Sequence, residues 1–421
     1  MSDIPHATTL DDSLALLREG YTYIARRCDR LGADLFATRL MLKPVICMRG
    51  AEAARIFYDG DRFTRQGAMP QTTLWLLQDA GSVQQLDGAA HRQRKQMFMG
   101  MMTPEALAAM EALLARRWRE AVARWEAREE VVLLEASAEV LTRAACDWCG
   151  VPLPEDEAPE LARELAAMVE NAGGVGPGVL LALGLRQRTE ARLRRLVERV
   201  RAGEAQAPAG SPLAVIVAHR EPDGSLLDST VAAVELINLL RPLLAVNRYI
   251  TFAALALHEH PDWRDRFAAG DEADLEPFVQ ELRRFYPFFP LIGGRARENF
   301  EWSGHAFAEG DWVLLDLYGT NHDARLWPEP EQFRPERFRN WAGDPHTLIP
   351  QGAGDFLGGH RCPGEWITIA ILKQAVRLLC REMRFEVPPQ DLSVSLARMP
   401  AAPASGFVMS RVRGKAARAA A

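Results

Sequence analysis

The sequence is short of the features that mark several large protein classes. Six cysteines spread over 421 residues do not make a disulfide framework, so a reducing cytoplasm is the expected setting. Lysine and arginine number 50 against 56 aspartates and glutamates, a net charge of −6. Without a basic excess, no nucleic-acid partner is expected. The opening MSDIPHATTLDDSL has no basic start followed by an apolar run, which argues against a secretory signal. The run VLLALGL (179–185) is far short of the ~20 apolar residues of a bilayer crossing, and no membrane span is expected. No repeat recurs at any period, and no Gly-rich loop lies between strand and helix where phosphate binding needs it. CDWC (146–149) has two-residue cysteine spacing but no second pair at zinc spacing, so a core role is expected. HEHP (258–261) separates its histidines by two residues, not four, and reads as a helix end before Pro261.

What is present is a globular composition, 48% hydrophobic and 25% charged. Helical spacing runs through 104–130, 155–170, 186–203 and 365–384. The longest helical stretch, 228–259, carries Arg241 and Pro242 near its middle, and a bend is expected there. Strand signals are short: 131–137, 311–318 and 385–389. The Pro/Gly/Ala-rich 202–212 reads as a surface connection, and 410–421 as a mobile tail. The pattern is a mainly helical body with minor β elements.

One cysteine stands apart. GGHRCPGEW (358–366) sets Cys362 between glycines, just ahead of a helix for which Pro363 suits the first turn. A thiolate there gains from the helix dipole and unpaired N–H groups. It could be a nucleophile, a metal ligand, or a buried cysteine in a Gly-rich turn. ELRR (281–284) places Glu281 and Arg284 on one helix face, where they can pair. FRPERF (333–338) lies between that helix and the cysteine.

In this order and spacing the chain resembles the haem-thiolate, or cytochrome P-450, superfamily. The resemblance implies a single-domain, mainly α fold with a minor β-sheet region over residues 1–421. It also implies a haem b cofactor with Cys362 as its axial iron ligand, and a buried cluster of Glu281, Arg284 and Arg337 bracing the haem face. Two positions depart from the ordinary pattern. Asp355 and His360 stand where a phenylalanine and an arginine are usual before the cysteine. Arg241 and Pro242 replace the carboxylate–threonine pair that ordinarily relays protons to dioxygen.

Both departures, with RRFYPFFPLIGGRARENF (283–300) and FTRQGAMP (63–70), resemble the bacterial fatty-acid peroxygenases. That branch uses hydrogen peroxide without a reductase and oxidises free fatty acids at the α or β carbon, in some members with decarboxylation to alkenes. The physical reading agrees. A buried guanidinium is costly without a partner, and Arg241 presents a planar fork to a carboxylate. The held carboxylate would supply the missing acid–base group, while Pro242 would make room above the haem. The resemblance carries His91, Lys95 and Arg295 as partners of the haem propionates, with Arg94 a weaker candidate, and Gln84 as a distal residue of the hydroxylating members. Two other functions stay open at this point. One is a dioxygen- and reductase-dependent monooxygenase. The other is a non-catalytic haem-based fatty-acid sensor or carrier.

Overall fold

Several helices begin where a small oxygen-bearing side chain can take an otherwise unpaired N–H. Thr103 accepts from the Ala106 N–H at 3.2 Å, with Pro104 in the first turn of Pro104–Trp125. Ser211 does the same for Pro212–Ala218. Asp228 caps Ser229–Ala245 through the N–H groups of Thr230 and Val231, at 2.8 and 3.2 Å. The computed structural model describes residues 4–7, 10–78 and 81–415, and most of it is helix.

The long central stretch is two helices, Ser229–Ala245 and Asn247–Glu259. Proline locks φ near the helical value, so the chain stays helical through Pro242, and the interruption falls one turn later, at Val246. By length and composition 229–259 is apolar enough to cross a membrane, which inspection of 179–185 alone overlooked. All of 232–257 except Pro242 is buried inside the fold, so protein core supplies its apolar surroundings.

Ten strands are seen among the described residues: β1 (Leu35–Leu40), β2 (Lys43–Met48), β3 (Phe63–Thr64), β4 (Glu130–Val132), β5 (Leu291–Ala296), β6 (Phe300–Trp302), β7 (His305–Phe307), β8 (Trp312–Asp316), β9 (Met383–Glu386) and β10 (Val408–Gly414). They form a sheet of order β1-β2-β8-β5-β3, a three-stranded β4-β10-β9 and a β6–β7 hairpin.

Three expectations change. Only the first residues of 131–137 are strand, and Leu133 already begins a helix that runs to Cys149. A short apolar run does not separate a strand from a buried helix start. Helix 186–203 begins earlier, at Pro177, and absorbs VLLALGL. Residues 410–414 are not a mobile tail. They pair with β4 and β9, and Val412 is buried; 416–421 lie outside the described residues. Cys146 and Cys149 are core residues, as expected.

The expected charge cluster is assembled and sealed. Glu281 and Arg284 are fully buried and joined by two bonds, Nε to Oε2 at 2.7 Å and Nη2 to Oε1 at 2.8 Å. Arg337 Nε stands 3.2 Å from Glu281 Oε2, and the Arg334 N–H donates to Glu281 Oε1 at 2.8 Å. Arg284 Nη1 donates to the Asn321 carbonyl at 3.0 Å. The Asn321 side chain accepts from the Ile349 N–H at 2.9 Å, at the entrance to the cysteine loop. The turn that carries Asn321, Leu317–Asn321, is capped by Asp316, which accepts from the Gly319 N–H at 2.6 Å.

Two outcomes follow from this core. Glu281→Ala leaves Arg284 buried without its counter-ion and lowers stability by about 3–5 kcal/mol, read from urea denaturation. Burial raises the Asp316 carboxyl to about 7. The folded state therefore holds a proton that the unfolded chain releases near pH 4, and stability falls as pH rises from about 4 to 7. Asp316→Asn flattens that part of the Tm-against-pH profile.

Candidate active site

The loop PQGAGDFLGGHRC is shaped by its glycines and by Asp355. Gly352 and Gly354 hold left-handed φ of 97° and 76°, which glycine adopts without a side-chain clash. Asp355 accepts from the N–H groups of Leu357 and Gly358, each at 3.0 Å. The loop closes where the Cys362 N–H donates to the Gln351 carbonyl at 3.0 Å, and helix Glu365–Arg377 follows. Of the six cysteines, five are buried and Cys362 alone is partly open. Burial raises its thiol pKa; a bound metal removes such a proton outright.

A polar scaffold supports this loop. The Gln351 amide nitrogen is 4.0 Å from Cys362 Sγ, and its oxygen accepts from Arg283 Nε at 3.3 Å. Arg283 Nη2 donates to Glu365 Oε1 at 2.5 Å, and Arg361 Nε to Glu365 Oε2 at 2.6 Å. Arg283 and Arg284 thus turn opposite ways from one helix, Arg283 toward the cysteine loop and Arg284 into the sealed cluster.

Beside the loop lies a crowd of basic groups. Lys95 donates to the Arg361 carbonyl, and its ammonium stands over the Phe356 ring at 5.5 Å. His91 stacks on His360 with ring centroids 3.8 Å apart. Arg65 is buried over the rings of Phe57 and Tyr58. Burial lowers Lys95 to about 8 against the upward pull of Cys362 and Asp355, and burial with neighbouring positive charge lowers His91 to about 4 and His360 to about 2. Burial lowers Arg65 as well. None of the four forms an ion pair with a carboxylate among the described residues. Two buried cations, Lys95 and Arg65, with His91 and His360 beside them and a partly open cysteine, suit a flat cofactor that offers a metal to sulfur and two carboxylates to these groups. The residues fit a haem.

The other wall is helix Ser229–Ala245. From Ala232 to Leu257 every residue is buried except Pro242, which is exposed. One open residue in the middle of a core helix marks an internal space. Next to it Arg241 is buried, and among its hydrogen bonds Nη1 donates to the Leu76 carbonyl at 3.0 Å, Nη2 to the Leu77 carbonyl and to Asn238 Oδ1 at 2.9 Å. Asn238 Nδ2 donates to Gln84 Oε1 at 3.3 Å and to Glu235 Oε2 at 2.9 Å. Glu235 also accepts from the Val83 N–H and from Arg94 Nη1, at 2.9 and 2.7 Å. Helix Gly88–Gly100 connects the two walls, because Arg94 reaches Glu235 while Lys95 reaches the cysteine loop.

The structure brings Arg241 and Gln84 together through Asn238, and sets His91 and Lys95 beside the cysteine loop. Arg94 is committed to Glu235 and Glu221. Arg295 donates to the carbonyls of Gly67 and Gly310, at 2.9 and 3.0 Å. Sequence reasoning assigned no role to Arg65, Arg283, Gln351, Glu235 or Asn238. For Asn238 a signal existed: it sits one helical turn before Arg241, on the same face.

Comparison with known proteins gives the relationship. The cytochrome P450 family model matches residues 275–413. A variant of cytochrome P450SP alpha (CYP152B1) is 50% identical with a TM-score of 0.93, over 96% of this chain and 99% of that one. Cytochrome P450EX alpha (CYP152N1), solved with myristic acid, is 42% identical with a TM-score of 0.95, over 99% and 100%. A variant of cytochrome P450 OleT in complex with arachidonic acid is 33% identical, TM-score 0.95, over 99% and 100%. Among curated proteins, rhazimal synthase of Alstonia scholaris is 30% identical over 36% of this chain and 35% of that protein. The chain spans about a quarter to a third of the length of the first curated relatives it matches. A closely similar fold, half-identical sequence and near-complete coverage decide the matter: the chain belongs to the cytochrome P450 family, in the CYP152 branch of fatty-acid peroxygenases.

Proposed function

We propose that this protein oxidises free fatty acids at the α or β carbon with hydrogen peroxide and without a reductase, using haem b held by Cys362. The observation that carries this reading is Pro242, the one opening in a buried helix, with the guanidinium of Arg241 beside it. Fatty acids bound to the similar CYP152N1 and OleT support it. A reducing cytoplasm suits six unpaired cysteines.

A thiolate-ligated haem supplies the oxidising iron, and electron donation from the sulfur favours O–O cleavage. The protein's own groups do the rest. Arg241 holds the substrate carboxylate in a two-pronged contact. Asn238 orients that fork and Gln84 together, so the headgroup and the distal polar atom keep one relative position. Fixing the headgroup leaves only the first carbons of the acyl chain near the reacting oxygen. Heterolysis of peroxide moves a proton from one oxygen to the other. A carboxylate oxygen held by Arg241 can accept that proton and return it. Pro242 contributes space and no donor. His91 and Lys95 hold the haem carboxylates, with Arg65 and His360 beside them. Arg295 serves the same end from β5.

Arg241→Ala is expected to lower kcat/KM for peroxide-driven oxidation of a saturated fatty acid by about 30-fold or more, the scale of losing a buried charge contact. The haem absorbance stays as in the wild type. Unchanged turnover in reductase-free assays would remove the carboxylate anchor. Lys95→Met is expected to speed haem loss to a scavenging apoprotein about tenfold, as loss of a charge-assisted hydrogen bond implies. An unaltered rate would take Lys95 out of the cofactor site.

A further inference from the structure

We propose that Glu235 is a positioning residue of the reaction: through Asn238 it fixes the Gln84 side chain so that its amide N–H groups, and not its carbonyl, face the space beside Arg241. The inference rests on the fatty-acid reading above for the use of that space. The direction of each amide rests on hydrogen-bond chemistry alone.

Glu235 is wholly buried, and a carboxylate at that depth is costly unless its oxygens are paired. Oε1 accepts from the Val83 N–H at 2.9 Å and from Arg94 Nη1 at 2.7 Å, and Oε2 from Asn238 Nδ2 at 2.9 Å. Each partner is a donor, which suits the ionised, acceptor-only form. Arg94 supplies the counter-charge within the core and shares its other arm with the partly exposed Glu221. For joining two helices at this depth an apolar pair would serve as well as an ion pair. The carboxylate therefore has a task beyond adhesion, and the task lies with its third partner.

Glu235, Asn238 and Arg241 follow one another at three-residue spacing on helix Ser229–Ala245, so each can reach the next. Asn238 has one amide and three neighbours. Arg241 Nη2 can only donate, so it takes Oδ1, at 2.9 Å. The Glu235 carboxylate can only accept, so it takes one N–H of Nδ2. The second N–H meets Gln84 at 3.3 Å, and Gln84 answers with its oxygen. The sense of both amides is then set. Among the described residues Gln84 Nε2 donates to none, so its N–H groups stay available to a ligand.

Two anchors are needed because one is released in use. A substrate carboxylate gripped by the Arg241 fork competes for the same Nη2 that holds Asn238. From then on Glu235 alone keeps the Asn238 amide from turning over. A turned amide offers Gln84 an oxygen instead of an N–H. Gln84 turns in answer, and its carbonyl replaces the N–H groups beside Arg241. The difference has chemical weight: the oxygen that leaves a peroxide gathers negative charge, which an N–H stabilises and a carbonyl repels.

The test is the C–O stretching band of carbon monoxide bound to the reduced holoenzyme, which moves in opposite directions when a donor or a lone pair faces the bound gas. Wild type is expected to give one band. Glu235→Gln can present either an N–H or an oxygen to Asn238, and it splits the band in two once a saturated fatty acid is added. The same variant lowers kcat/KM for peroxide-driven oxidation about tenfold, the scale of one misdirected hydrogen bond. Asn238→Ala leaves the Glu235–Arg94 pair intact and shifts the band with or without fatty acid. In a Gln84→Ala background neither change moves the band further. A band left single and unshifted by both variants would overturn the proposal. So would an effect of Glu235→Gln that persists undiminished in Gln84→Ala, because it would not pass through Gln84. The Asn238→Ala shift needs no substrate, so a protein that shows it yet leaves fatty acids unoxidised fails the fatty-acid reading and not this one.

Discussion

A carboxylate and a guanidinium sealed completely from water, Glu281 with Arg284, set the frame for everything around the cysteine. Neither can leave the other without stranding a charge in the core, so every segment that contributes to their satisfaction is fixed in place. Arg284 takes the Asn321 carbonyl, Asn321 takes the Ile349 N–H, and the chain then enters the glycine-bearing loop that ends at Cys362. The neighbouring Arg283 works from the other side through Gln351 and Glu365. One helical turn of ELRR thus grips the cysteine loop at two points, one ionic and sealed from water, the other polar and close to sulfur.

The same economy recurs in helix Gly88–Gly100. Adjacent residues on a helix point about 100° apart, so Arg94 and Lys95 serve different walls. Arg94 braces the helix that carries Arg241 by way of Glu235, and Lys95 lies against the cysteine loop. The distance between thiolate and guanidinium is therefore set by a rigid element and not by a flexible loop. Asn238 adds the finer adjustment, since its one amide engages Glu235, Gln84 and Arg241. A site of this kind has its charge arranged before any ligand arrives, as the proposed oxidation close to the headgroup of a flexible acyl chain requires.

The hairpin and N-terminal helix obey a different logic. There Met41, Leu42, Leu14 and Leu17 face outward, and at the turn the backbone accepts a conformation that its side chains disfavour. The catalytic half of the molecule buries its exceptional charges, whereas this half exposes its exceptional apolar residues. Both are departures from what folding alone selects.

Motif order along the chain, through the family resemblance it carries, was enough to single out the cysteine, the Glu281–Arg284–Arg337 cluster and the Arg241–Pro242 pair. The fold class was legible because helical periodicity over long windows survives any tertiary context. Contacts made across the chain were not legible. Arg65 joins the basic flank only because β3 pairs with β5, and His360 meets His91 only after the loop has turned over helix Gly88–Gly100. The tail looked mobile until β4 and β9 supplied partners for β10, and 131–137 looked like strand until Leu133 turned into a helix. The sequence by itself determined which chemical groups the protein owns and the helices on which most of them ride, since local spacing and propensity settle those. The tertiary structure decided which of them share one space, because hydrogen bonds and burial between distant segments exist only once the chain has closed on itself.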